Sequence, residues 1–169
     1  VSTARLGPAI LEQRDPELKV AWIERGNPVT QNPQTGRVLE AIRSLDFRVV
    51  VDQFLTDTAR EADVVLPAKT MFEQTDVINA YWHPYIQIRQ KVIEPPGEVK
   101  PETEVFALLA ERMGFKEAFT EGRTDVDWIK TMFEVSDLPK IMSWEEFNRK
   151  GYCVVNVPDD YKPTPALRW

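Results

Sequence analysis

The sequence predicts an α/β fold: a doubly wound, mostly parallel sheet with helices on both faces, plus a helical C-terminal elaboration. Two observations predict it. Three short apolar runs alternate with helix-period segments between residues 19 and 67, and they are nearly continuous in apolar character, as strands buried on both faces are. Beyond Gly114 this alternation gives way to amphipathic helical stretches.

In chain order, Lys19-Val20-Ala21-Trp22-Ile23-Glu24 reads as the first strand, and Gly26-Asn27-Pro28 breaks any regular element after it. Asn32-Pro33 supplies an N-cap and a first-turn proline for a helix in which Val38, Leu39, Ile42 and Leu45 recur at helical spacing, ending near Ser44 or Leu45. Phe47-Arg48-Val49-Val50-Val51 is too short and too β-branched for a helix, and is closed by Asp52. A short helix over residues 56–62 with a Thr or Asp cap follows, then the strand Val64-Val65-Leu66, stopped by Pro67. Residues 85–93 alternate with period two, predicting a half-exposed strand that ends at Glu94-Pro95-Pro96-Gly97. The best helix spans residues 103–113, with Val105, Leu108, Leu109 and Met113 on one face and Gly114 as its C-cap. Val126 to Glu134 forms an amphipathic helix, and Ser143-Trp144-Glu145-Glu146 starts another that ends at Gly151.

With 169 residues, 43% of them hydrophobic, the chain can build a sizeable core. Its 21 basic and 27 acidic residues give a net charge of -6, which removes the basic footprint of a nucleic-acid binder and any polybasic membrane patch. One cysteine, Cys153, excludes an internal disulfide and any multi-cysteine metal site made by these residues alone. No apolar run approaches the roughly 18 residues of a membrane span. The chain opens on Val1 and closes on a Pro-rich run from Lys162 to Trp169, and we read it as an excised piece of a larger protein. A soft boundary near residue 115 separates an α/β domain, 1–115, from a mostly helical extension, 116–169, that packs on the rest of the parent.

In a doubly wound sheet, ligands bind beyond the carboxyl ends of the strands, which directs attention to Gly26-Asn27-Pro28, Asp52 and the stretch from Pro67 to Asp76. Neither a G-x-G-x-x-G nor a phosphate-cradling G-x-x-x-x-G-K-[ST] motif is present. Asp52 offers two acceptor oxygens, suited to the paired N–H donors of a guanine edge and unsuited to adenine; Thr56 and the amides opening its helix suit phosphate. The same residues also read as a turn former, a cap and a plain Asn-Pro turn. His83 reads as a packing or loop histidine without co-ligands, Cys153 as an inert buried thiol, and Arg89 and Lys91 as the solvated face of a strand. Residue chemistry alone leaves the function open.

An ordered set of segments carries more. Val20-Ala21-Trp22-Ile23-Glu24-Arg25-Gly26-Asn27-Pro28, then Leu45-Asp46-Phe47-Arg48-Val49-Val50-Val51-Asp52-Gln53-Phe54-Leu55-Thr56-Asp57-Thr58-Ala59, then Ala62-Asp63-Val64-Val65-Leu66-Pro67 resemble the molybdopterin oxidoreductase, or dimethyl sulfoxide reductase, family. Glu94-Pro95-Pro96-Gly97-Glu98 and the helix from Ala107 to Gly114 are similar to it too, so the resemblance covers residues 18–115. It implies a large enzyme whose molybdenum or tungsten ion is held by two molybdopterin guanine dinucleotides, with a 4Fe-4S cluster elsewhere in the parent. This chain resembles the dinucleotide-binding α/β domain that precedes the C-terminal barrel, inactive alone and with no catalytic residue or metal ligand of its own.

By the resemblance, Gly26, Asn27 and Pro28 lie against the cofactor, Asp52 recognises guanine, Thr56 approaches the nucleotide, and Gln74 of the Glu73-Gln74 loop and Glu102 make further contacts. Other domains of the parent are the expected partners, with iron–sulfur electron-transfer and membrane-anchor subunits as candidates and no nucleic acid. Formate dehydrogenases and nitrate reductases usually continue with a glycine-rich turn and an Asn-x-Glu-Arg-Arg run; the stretch from Asp76 to Lys91 has neither. It is closer to the branch of polysulfide and thiosulfate reductase-like enzymes and anaerobic dehydrogenases. The competing readings are an independent flavodoxin-like nucleotide-binding module, which the α/β pattern alone permits, and a non-catalytic interaction domain, suggested by the Trp- and Pro-rich tail.

Overall fold

A computed structural model describes residues 3–79 and 83–155. The Pro-rich tail and the pair Tyr81-Trp82 lie outside the described residues. The chain divides into two compact units, one made of the residues up to Thr70 together with Pro95–Glu104, the other of Met71–Glu94 and the residues from Val105 on. The expected boundary near residue 115 falls inside the second unit.

The first unit opens on a helix ahead of the predicted first strand, α1 (Leu6–Glu12). It is followed by β1 (Val20–Glu24), α2 (Pro28–Gln31), α3 (Thr35–Arg43), β2 (Phe47–Asp52) and β3 (Val64–Pro67). The three strands form a parallel sheet in the order β1-β2-β3, with Glu24 opposite Val51 and Asp52 opposite Pro67. Parallel pairing brings all three carboxyl ends to one edge, where Gly26, Asn27 and Pro28 follow β1 and Asp52 ends β2. Val49, Val50 and Val51 are buried because β2 is the middle strand; Val20, Val64 and Val65 on its two neighbours are exposed. Val29, Val38 and Ile42 form the local core with Ile23 and Leu39 packed against it, the helix-period pattern doing what it predicted.

Local chemistry moves two helix starts. Asn32-Pro33 does not cap α3: the helix begins at Thr35 behind Gln34 in the left-handed region, while the Asn32 side chain donates to the carbonyl of Thr3 at 2.8 Å. Asn27-Pro28 opens a helical turn instead, α2, with proline at its first position, where a missing N–H costs nothing. After β2 the expected helix over 56–62 shrinks to one 3₁₀ turn, Ala59–Glu61. Its flanks are held by bidentate ion pairs, Arg43 to Glu61 at 2.6 Å for both bonds and Arg48 to Asp63 at 2.9 and 2.7 Å.

The second unit carries an antiparallel sheet of β4 (Asp76–Asn79), β5 (Tyr85–Arg89) and β6 (Tyr152–Val154). The alternating segment is therefore a strand, but it ends at Arg89 and pairs here, apart from the parallel sheet. α4 (Glu102–Arg112) ends as predicted: Gly114 has φ +82°, and the amides of Gly114 and Phe115 donate back to the carbonyls of Glu111 and Ala110. Its predicted face is only partly buried, since Met113 and Leu109 are exposed and Ala110 is the buried position. α5 (Lys116–Thr120), α6 (Asp125–Val135) and α7 (Trp144–Lys150) complete the unit. Thr124 and Asp127 form a capping box on α6, and Ser143 caps α7 by accepting from the Glu146 amide. The core joins Ile88, Ile129, Phe133, Leu138, Phe147 and Cys153, with the Phe133 and Phe147 rings stacked at 5.3 Å.

Candidate functional site

The site is built at the carboxyl edge of the parallel sheet, where the turns after β1 and β2 are tied together. In the turn after β1, Arg25 leaves the strand at φ +55°, and Gly26 and Asn27 lead into α2. A Cβ on Gly26 would make ordinary contact with the Glu24 carbonyl at 3.8 Å and Gln31 Oε1 at 4.0 Å, so close packing does not require glycine here. The Asn27 amide donates to Gln31 Oε1 at 2.9 Å, closing the turn.

In the turn after β2, Asp52 is half-buried and held at both oxygens. Its Oδ1 accepts from the Phe54 amide at 3.2 Å and its Oδ2 from the Thr56 hydroxyl at 3.1 Å. Its carbonyl accepts from the Ala68 amide, fixing the end of β3 beside it. The turn-former reading of Asp52 is thus realised, but each carboxylate oxygen has a second lone pair, so a fixed pair of acceptors remains for a ligand. Phe54 and Leu55, next in the turn, are exposed apolar side chains.

Thr56 gives its one proton to Asp52 and accepts from the Ala59 amide at 3.3 Å. It orients the carboxylate. The amides of Thr58, Ala59, Arg60 and Glu61 each donate to a protein oxygen.

Sequence reasoning did not single out Thr58, which is fully buried and joins the two turns. Its hydroxyl donates to Asn27 Oδ1 at 2.5 Å and accepts from the Val29 amide at 3.1 Å, and its own amide donates to the same Oδ1 at 3.3 Å. Thr30 adds a second tie, donating to Asp57 Oδ2 at 3.2 Å. A β-branched hydroxyl residue is apolar enough to bury yet able to donate, but its partners lie 31 and 29 positions away, beyond any local pattern.

Among the other candidates, Glu102 belongs to the same unit, where it pairs with Arg25 at 3.4 Å. Gln74 is half-buried beside the buried Glu73 and belongs to the second unit, so Gly26, Asn27, Pro28, Asp52, Thr56 and Glu102 share a unit that Gln74 does not. His83 accepts from the Tyr85 amide through Nδ1 at 3.2 Å and packs edge-on against that ring, a loop histidine. Arg89 is not solvated: its side chain is 25% exposed and pairs with Asp76 at 3.2 Å. Burial pushes the Cys153 thiol up from its ordinary range. Among the described residues no group of three His, Cys, Asp or Glu could hold a metal ion, and no helix is long and apolar enough to cross a membrane.

Comparison with known proteins gives a consistent result. A family model described as molybdopterin oxidoreductase matches residues 7–112. The chain is similar to the probable oxidoreductase YoaE of Bacillus subtilis, at 49% identity over 66% of this chain and 16% of that protein. It is also similar to the dimethyl sulfoxide/trimethylamine N-oxide reductase of Cereibacter sphaeroides, at 37% identity over 72% of this chain and 15% of the reductase. Among solved structures, acetylene hydratase from Pelobacter acetylenicus superposes with a TM-score of 0.69 and 27% identity, covering 94% of this chain and 21% of the hydratase. The chain therefore spans between about a seventh and a fifth of these proteins.

Proposed function

Because the chain belongs to the molybdopterin oxidoreductase family, we propose that it anchors the guanine end of one pterin guanine dinucleotide in a molybdenum- or tungsten-dependent oxidoreductase. The observation that carries this reading is the Asp52 carboxylate, locked by the Phe54 amide and the Thr56 hydroxyl at the carboxyl end of the middle strand. Two fixed acceptors side by side complement the N1–H and exocyclic amine of guanine. Adenine, which offers an acceptor at N1, leaves one carboxylate oxygen facing a lone pair and is rejected.

The acceptor pair therefore fits the base, and Gly26, Asn27 and Pro28 stand in the turn at the end of the adjacent strand. The metal supplies the redox chemistry when the cofactor is bound; the residues of this chain bind and orient the nucleotide tail, which fixes the pterin and so the metal. Thr56 acts through Asp52 by orienting its carboxylate, and Glu102 completes the contacts made by this unit. The 4Fe-4S cluster, the metal ligand and the partner subunits belong to the rest of the parent, and these 169 residues are inactive alone. The stretch from Asp76 to Lys91 supports a polysulfide or thiosulfate reductase-like or anaerobic dehydrogenase branch over formate dehydrogenase.

Asp52→Asn in the full-length protein tests the reading. It is isosteric, keeps an acceptor for one guanine donor and turns a donor against the other. Guanine nucleotide retained through purification falls by roughly tenfold or more, the scale of a lost hydrogen bond to a charged group. Retention at the unaltered level contradicts the guanine role.

A further inference from the structure

A chain with 27 acidic residues against 21 basic ones offers its cations ready partners, so a lysine that finds none is an exception. Lys69 is one. Among the described residues no acid lies within ion-pair distance of its ammonium, and no described oxygen accepts from it. Arg14, Arg60, Arg112, Arg149 and Lys150 also lack an acid partner, but all of them are exposed, whereas Lys69 is half-buried. Water serves an exposed cation; a half-buried one forgoes part of its hydration, and a counter-ion offsets that cost. The Lys69 ammonium is not among the buried polar atoms left without a partner, so it reaches the surface, where a ligand can meet it.

The place of Lys69 in the fold says which ligand. It follows β3, whose last residue, Pro67, stands opposite Asp52. The Ala68 amide donates to the Asp52 carbonyl at 3.1 Å, and the Gln53 side chain donates to the Lys69 carbonyl at 2.9 Å. The main chain of Lys69 is thereby fastened to the turn that holds the Asp52 carboxylate, within the same unit. Arg25, the cation of the turn after β1, is already paired with Glu102, and Lys69 has no such pair among the described residues. Resting on the reading of Asp52 as the guanine acceptor, we propose that Lys69 is a nucleotide-binding residue, whose ammonium holds a phosphate of the guanine nucleotide whose base Asp52 takes.

The two groups divide the ligand by chemistry. The Asp52 carboxylate can only accept, and takes the donor edge of the base; the ammonium can only donate, and takes the anionic end. A compact, strongly hydrated point charge with three donors suits phosphate oxygens, which need no planar fork. The lysine stem adds about 6 Å of reach from its anchored main chain, enough to span the ribose between a base and its phosphate.

The test uses the full-length protein stripped of cofactor, titrated with GDP and with guanosine. Lys69→Gln keeps most of the stem and removes the charge: GDP binding weakens roughly tenfold, while guanosine binding stays within about twofold. Lys69→Arg, which keeps the charge, binds GDP within about threefold of the unaltered protein. GDP binding by the unaltered protein weakens as salt is raised, and Lys69→Gln flattens that dependence, a change that a packing role would not produce. Equal binding of GDP by Lys69→Gln and the unaltered protein overturns the proposal, as does an equal loss of GDP and guanosine. A Lys69→Gln protein that melts earlier yet binds GDP normally shows the ammonium pairing with an acid elsewhere in the parent, and overturns it too. If Asp52→Asn binds guanosine as well as the unaltered protein does, the guanine reading fails, and this proposal falls with it. Loss on Asp52→Asn with none on Lys69→Gln removes this proposal alone.

Discussion

Gly7 offers a test of the packing of the first unit, because its missing side chain is what allows α1 to lie against α3. A Cβ built there meets backbone rather than side-chain ends: Arg37 C and O at 2.8 Å and Val38 N at 2.9 Å. Ordinary contact begins near 3.4 Å, so the two helix backbones must separate by roughly 0.6 Å before alanine fits. Overpacking of this kind costs about 1–3 kcal/mol. Gly7 lies in the first turn and precedes Pro8, which disfavours helical backbone for a residue with a Cβ, so alanine regains little propensity and Gly7→Ala is destabilised by about 1–3 kcal/mol. Gly36, in the first turn of α3, is the internal control. Nothing lies within 4 Å of its Cβ position, so Gly36→Ala is neutral to stabilising, by up to about 1 kcal/mol. Urea unfolding followed by tryptophan fluorescence reads both, as opposite shifts of the midpoint at unchanged slope. A Gly7→Ala protein as stable as the unaltered one would show that α1 is not seated on α3 as described.

Further predictions follow from the same structure. Asp63 is held below the usual aspartate range by its hydrogen bonds to the Arg48 side chain and amide, so its ion pair stabilises the fold above that range; the contribution is lost as pH falls through the lowered value. Asp63→Asn therefore flattens the acid limb of a urea-midpoint against pH curve between about pH 5 and 2, and an unchanged limb refutes the pairing. Ser143→Ala removes the acceptor for the Glu146 amide at the start of α7 and lowers stability by about 1 kcal/mol, while Ser143→Asp restores it. Phe147, 1% exposed and stacked on Phe133, leaves a cavity on truncation, so Phe147→Ala costs about 3–5 kcal/mol in the same unfolding assay. Cys153 is fully buried with its thiol pushed up by burial, and an aromatic disulfide reagent labels it only as fast as the second unit opens.

The parallel sheet was legible because its strands carry their own signal. Val49, Val50 and Val51 are β-branched, consecutive and bounded by Asp52, and no helix of that length competes. Helix ends were legible where capping chemistry is local: Gly114, Gly151 and Ser143 act as their types predict. The start of α3 was not, since Asn32 bonds to Thr3, almost thirty residues away, and that tertiary bond outweighs the local cap. The two strands flanking β5 escaped for a related reason. Residues 152–154 are too few for a period, and their strand exists only because β5 pairs with it. At the candidate site, residue types located Asp52 and Asn27 at strand ends. The division of labour within the turns, with Thr56 orienting Asp52 and Thr58 orienting Asn27, depends on side-chain hydrogen bonds across up to 31 positions that no local pattern encodes.

The most direct test of the account is to purify the full-length protein without oxygen, from a host able to make the cofactor, and to measure metal together with guanosine monophosphate released by acid hydrolysis. The account predicts molybdenum or tungsten with about two guanosine monophosphates per metal ion, and loss of guanine nucleotide in the Asp52→Asn protein. A folded protein containing neither metal nor guanine would contradict it.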